Sequence, residues 1–118
     1  MKVYIASRFV NRDVVRSLAS QLTNAGVLCV QTWPDEHANC SAVEAATRDI
    51  AEINQADAVL LYTEGCESVP GGMHFEAGYA YGQGKSVMVV GPLVHVFCHL
   101  PNVMRFATVE DLVNKVTA

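Results

Sequence analysis

Glu76 is the single carboxylate in the stretch GGMHFEAGYAYGQGKSVMVVG, which runs from Gly71 to Gly91. Two glycines open the stretch, an Ala/Gly/Tyr helix follows, and Ser86 to Val90 read as a strand. A helix that starts behind a glycine turn offers unpaired N–H groups and a partial positive charge, so a carboxylate in its first turn is expected to stay ionised. Glu76 is then either a reactive group or a complement to the helix dipole. A second acid, Asp49, sits in another helical segment, and Tyr4 sits in the first strand. Two carboxylates in different environments suit displacement at an acetal or aminal carbon. One attacks or steadies an oxocarbenium-like centre, and the other manages the leaving group's proton. A tyrosine hydroxyl can hold the attacking carboxylate in one rotamer. The plainer readings are an exposed helix residue beside Arg48 for Asp49 and a core aromatic for Tyr4.

Trp33 either stacks a planar base or covers apolar surface. Ser7 and Arg8 either bind phosphate at the start of the following helix or form a solvated loop. No GxGxxG follows the first strand and no GxxxxGK[ST] occurs, so neither a Rossmann dinucleotide site nor a P-loop is expected. Cys29, Cys40, Cys66 and Cys98 lack CxxC spacing, and the histidines lack zinc-ligand spacing. Reduced thiols, no metal and no cofactor are the expectation. A net charge of −4 argues against a nucleic-acid polymer as partner. No apolar run approaches the roughly 20 residues that span a bilayer, and MKVYIASRF has no signal-peptide pattern, so a cytoplasmic protein is expected.

These groups must be positioned by the rest of the chain, which at 118 residues reads as one domain, 1–118. KVYIA is a short strand, and a helix capped by Asn11 carries Val14, Val15, Leu18 and Leu22 inward until Asn24-Ala25-Gly26 ends it. Val27 to Val30 is the second strand. Gln31 to Cys40 reads as a loop over its carboxyl end. Ser41 and Glu44 form a capping box for a helix that buries Val43, Ala46, Ile50 and Ile53 and leaves Arg48, Asp49 and Glu52 off that face. AVLLY is a central strand, NVMRF a fifth, and Thr108 with Asp111 caps a last helix. VHVFCHL fits a strand, a loop or a helical turn. Alternating strands and helices imply a flavodoxin-like, doubly wound α/β three-layer sandwich around a five-stranded parallel sheet. Its ligand crevice lies beyond the carboxyl ends of the strands. The segments Tyr4–Arg8, Trp33–His37, the Asp49 region and Gly71–Glu76 converge there.

KVYIASRF, RDIAEINQADAVLLYTE and GGMHFEAGYAYGQGKSVMVVG together resemble the nucleoside 2-deoxyribosyltransferase family, which includes N-glycosidases of nucleoside 5′-monophosphates. The most specific element is G-x-x-x-E-x-G-Y-A, with D-I-x-x-I-x-x-A-D second. The resemblance implies a retaining mechanism that needs no cofactor or metal. Glu76 would be the nucleophile, Asp49 the acid that handles the base, and Tyr4 the residue orienting Glu76. Ser7, Arg8, Trp33, Gly71 and Gly72 would bind substrate. Asn102 would complete the sugar pocket of a neighbouring copy in a homodimer or larger homo-oligomer. The partners implied are a small nucleoside or nucleotide and a free base. Pro70 stands where relatives carry either an extra acid or a phosphate-binding serine, with Glu67 and Ser68 just upstream. Three readings follow: a deoxyribosyltransferase, a monophosphate N-glycosidase that would hold phosphate with Ser7, Arg8 or Ser68, and a non-catalytic nucleotide-binding module.

Overall fold

A computed structural model of the chain describes residues 1–65, 71–92 and 95–117; the expectations on Cys66, Glu67, Ser68 and Pro70 lie outside them. Five parallel strands, β1 (Lys2–Ala6), β2 (Leu28–Cys29), β3 (Ala58–Tyr62), β4 (Ser86–Val90) and β5 (Val103–Phe106), form one sheet in the order β2-β1-β3-β4-β5. That is the doubly wound order of flavodoxin-like folds, with the switch point between β1 and β3. Tyr4 pairs with Val59 and Ala6 with Leu61, so the carboxyl ends of the two central strands lie side by side.

Helices α1 (Arg12–Asn24) and α5 (Val109–Thr117) contact each other, as do α3 (Ala42–Gln55) and α4 (Gly71–Gly82). These pairs cover opposite faces, because successive strand side chains alternate. Val3, Tyr4, Ile5 and Ala6 are all buried, and so are Ala58 to Leu61 and Val87 to Val90, as a central parallel strand requires. Helix α1 buries Val15, Leu18 and Leu22 but leaves Val14 about half exposed. Its end at Gly26 adopts φ +91°, the left-handed conformation that glycine tolerates best.

Several local expectations are corrected. Asn11 occupies the N-cap position of α1 without a side-chain cap bond; its amide donates to Ser7 Oγ at 3.0 Å, tying the helix start to the end of β1. The segment expected as a loop after β2 folds into α2 (Trp33–Glu36) and a 3₁₀ turn (His37–Asn39). Pro34 suits a first helical turn, where its missing N–H costs nothing. Ser41 caps α3 as expected, accepting from Glu44 N at 3.1 Å. The buried face of α3 holds only in part: Ile53 is buried as expected and Ile50 partly so, but Val43 is 76% exposed, Ala46 is exposed, and Glu52, expected off that face, is buried. Only the last turns of α3 press on the core, while its first turns lie at the surface, which relaxes the demand for an apolar stripe there. The ambiguous VHVFCHL contains a 3₁₀ turn at Val96–His99.

Candidate functional site

Beyond the ends of β1 and β3 lies a cleft of ≈320 Å³ bordered by Ser7, Arg8, His37, Asp49, Gly72 and Glu76, with Phe9 and Phe75 among its apolar walls. Tyr4 lies beneath it on β1, fully buried, and donates a hydrogen bond from its hydroxyl to Glu76 Oε2 at 2.5 Å. The two residues reach each other because Tyr4 points to the face that α4 covers. Glu76 stands one turn further along α4 than its expected place. Gly71 and Gly72 are the first residues of the helix rather than a turn before it, and the first turn holds no acid.

That shift changes the electrostatics. Glu76 is not bathed in the field of the helix start. Burial pushes its carboxyl up from 4.5 to about 7; the Tyr4 hydrogen bond pulls downward, while the Asp49 and Glu52 charges push upward. The expectation of a carboxylate held firmly ionised is therefore overturned by desolvation. Tyr4 is raised above its ordinary value by burial and by the adjacent Glu76 carboxylate, so it remains a hydrogen-bond donor.

Asp49 lies half-buried on α3 and meets His37 Nε2 at 2.9 Å. Its carboxyl is raised by burial, against the opposing pull of His37, the Tyr4 hydroxyl and Arg48. Two carboxyls with raised proton affinity thus flank one cleft, a condition suited to exchanging protons near neutrality.

The remaining expected positions divide. Ser7 and Arg8 line the cleft, Ser7 Oγ donating to Tyr62 O at 2.8 Å. They are followed by a single 3₁₀ turn, Phe9–Asn11, so the full helix expected to sit over a phosphate begins only at Arg12. Gly72 lines the cleft, but Gly71 faces a more apolar hollow of ≈590 Å³ on the other side of Phe75. No carboxylate is among that hollow's described lining residues, which makes the smaller cleft the better place for chemistry. Trp33 is not a stacking platform. Its ring is 3% exposed and its indole N–H donates to Ile5 O at 2.7 Å, so it joins α2 to β1 and covers apolar surface. Asn102 is exposed at the amino end of β5 and does not line the cleft of its own chain.

His37 lies in the Trp33–His37 segment expected at the cleft, but its pairing with Asp49 is a tertiary feature, and Glu52 is an addition from the structure. His37 follows α2 and approaches Asp49 across twelve residues, with no local pattern to mark it. Glu52 was legible in principle, since it stands three residues after Asp49 and therefore on the same side of α3. Its side chain is 8% exposed, with Oε1 accepting from Thr32 N at 3.1 Å and Oε2 from Thr32 Oγ1 at 2.5 Å. Among the described residues no group of three or more His, Cys, Asp or Glu is arranged to hold a metal. No described helix is long and apolar enough to cross a membrane.

Two carboxyls thus line one cleft at the switch point of a doubly wound α/β sheet, with a buried tyrosine bonded to one of them. The chain belongs to the nucleoside 2-deoxyribosyltransferase family, whose profile matches residues 3–109. It is thereby placed among nucleoside-modifying enzymes. The fold is similar to that of the CMP N-glycosidase BcmB of Clostridium botulinum (TM-score 0.67, 18% identity, covering 98% of both chains). A conserved protein from Enterococcus faecalis V583 is similar too (TM-score 0.72, 14% identity, 98% of this chain and 96% of that one). So is a 2-desoxiribosyltransferase from Leishmania mexicana (TM-score 0.63, 22% identity, 75% of this chain and 63% of that one). No curated protein matches the chain significantly.

Proposed function

We propose that the protein cleaves the N-glycosidic bond of 2′-deoxyribonucleosides and passes the deoxyribosyl group to another base. The observation that carries this reading is a cleft lined by Glu76 and Asp49 with Tyr4 bonded to Glu76 beneath it, on a chain of this family. A Glu76 carboxylate oxygen attacks C1′ as the C1′–N bond breaks, and the bonding pair leaves with the base. Asp49, whose raised proton affinity suits an acid, delivers the proton the departing base needs. A nitrogen of the incoming base then attacks C1′, Glu76 leaves, and Asp49 recovers a proton from that base. Two displacements at one carbon retain its configuration. Tyr4 fixes the attacking oxygen, and His37 holds Asp49 toward the base. This chemistry calls for neither a metal nor a cofactor. The reading includes a cytoplasmic location and a homodimer or larger assembly in which Asn102 reaches a neighbour's sugar pocket.

A second reading is hydrolysis of a 2′-deoxynucleoside 5′-monophosphate. It is favoured by the place of Ser7 and Arg8 on the cleft wall, where they would meet a phosphate, and by the structural likeness to a CMP N-glycosidase. Chromatography of the purified protein with a deoxynucleoside plus a different free base, beside the deoxynucleoside monophosphate alone, separates the two. A new nucleoside supports transfer; free base and sugar phosphate from the monophosphate move the assignment to hydrolysis. Absence of both over a broad panel, with ligand binding retained, would leave a nucleotide-binding module.

Tyr4→Phe provides a further check. Losing a hydrogen bond to a charged group, worth about 1.5–3 kcal/mol, raises the Glu76 proton affinity further. The acidic limb of kcat/KM is expected to move up by about one to two pH units. An unmoved limb would separate Tyr4 from the ionisation that governs turnover.

A further inference from the structure

Behind the cleft, one buried carboxylate is left without a task by the proposed reaction. Glu52 is buried, and both its oxygens are taken by a single residue, Thr32, through backbone N–H and side-chain hydroxyl. Burying an ionised carboxylate is costly unless such bonds compensate. Capping α2 does not by itself require Glu52, because Thr32 occupies the N-cap position, where a threonine hydroxyl ordinarily accepts from the helix's own N–H groups. Here it makes no such bond and turns to Glu52. At the other end of α2, the C-cap residue His37 meets Asp49. Asp49 and Glu52 lie three residues apart on α3, so the short helix is fastened to one side of α3 at both ends. Between these points the Trp33 indole is bonded to Ile5 O. A helix of four residues is too short to hold itself. Arg16 of α1 also bonds Asp35 and Pro34 O, and Arg48 of α3 lies 3.6 Å from Glu36. The bonds at the two ends of α2 are nevertheless the ones that reach the Asp49 side of α3.

We propose that Glu52 is a positioning residue: by clamping Thr32 it fixes the course of α2 and thereby holds His37 against Asp49. The link from this clamp to turnover rests on the function proposed above; the clamp itself does not. Glu52 also adds negative charge near Glu76, raising that carboxyl's proton affinity in the same sense as Asp49 does.

The test has two arms. In the first, side-chain NMR of His37 is recorded for the parent, Glu52→Ala and Glu52→Gln, each with and without Asp49→Asn. The His37 ring signals are expected to respond to Asp49→Asn in the parent and in Glu52→Gln, whose amide still pairs with Thr32. They are expected to lose that response in Glu52→Ala. In the second arm, Glu52→Ala is expected to lower kcat by about tenfold to a hundredfold, the scale of a displaced catalytic group, while Glu52→Gln retains most of it. Adding Glu52→Ala to His37→Ala is expected to cost little more than His37→Ala alone, since both act through Asp49. Thr32→Val, which keeps the backbone bond and removes the hydroxyl, is expected to show the same loss of response in smaller measure, and decides the matter if Glu52→Ala does not fold. His37 signals that follow Asp49 unchanged in Glu52→Ala, or in Thr32→Val where it stands in, would overturn the clamp. A lost NMR response with no turnover in the parent would uphold the clamp and overturn the function. A lost response with unchanged kcat would show that the clamp does not serve catalysis.

Discussion

Glu76→Gln is expected to abolish turnover and, at pH 8, to make the protein more stable. Both effects arise from the same burial. A glutamine keeps the shape of the side chain and still accepts from Tyr4, but it is too weak a nucleophile to form a glycosyl ester. Loss of a covalent nucleophile removes at least about a thousandfold in kcat. The stability effect follows from linkage. Glu76 binds its proton more tightly folded than unfolded, its carboxyl rising from 4.5 to about 7. Between those values the folded state holds more protons than the unfolded one, so stability falls as pH rises through this window. The whole penalty is present above about pH 7 and absent below about pH 4.5. At about 1.4 kcal/mol per tenfold change in proton affinity, it reaches an upper bound of about 3.5 kcal/mol. Glu76→Gln removes it, and thermal denaturation at pH 8 should show a midpoint higher by roughly 10 °C, with no gain at pH 4. Equal midpoints at both pH values would show that the carboxylate is not held at a cost in the folded protein.

Asp49→Asn carries the second large effect, and its value lies in substrate dependence. Asparagine preserves the contact with His37 but cannot give up a proton, so kcat for an ordinary deoxynucleoside should fall by about 10²- to 10⁴-fold. For 7-methyl-2′-deoxyguanosine, whose base departs neutral without gaining a proton, the loss should shrink to within about tenfold. The ratio of the two deficits, measured by base release, isolates proton delivery from folding and binding. Equal deficits for both substrates would assign Asp49 to binding rather than to acid catalysis.

How far the sequence reveals this site depends on whether a feature is periodic or tertiary. The strand-helix alternation, the glycine at the end of α1 and the Ser41 cap are local, and the structure places them as expected. Tyr4, Asp49 and Glu76 each stand in a recognisable segment and the fold brings them near one cleft, although Glu76 sits a turn later in its helix than expected. Their environments were not legible. Placing Glu76 in a first helical turn implied an easily ionised acid, whereas one more turn of helix and the cover of neighbouring groups reverse the sign. Trp33 could be read as a platform or as a cover; only its burial and its bond to Ile5 O separate the two. Helix α3 misled because polar residues were assigned outward by default. A helix beside a cleft has more than one inside: Ile53 faces the core, Asp49 the cleft, and Glu52 the buried contact with Thr32.

The hydrogen bond between Tyr4 and Glu76 joins residues 72 positions apart, and this has a consequence for how an active molecule comes into being. Tyr4 belongs to β1, synthesised well before the group it orients, which lies beyond two crossover connections. At about 5–20 residues per second, Tyr4 waits roughly 4–14 s on the ribosome before Glu76 is added. Closing so long a loop is entropically costly, and parallel pairing is reached late. No N-terminal fragment that stops before α4 can hold the pair. Recovery of activity during refolding therefore reports the docking of α4 on the sheet, and hence completion of the fold's centre rather than of any one part.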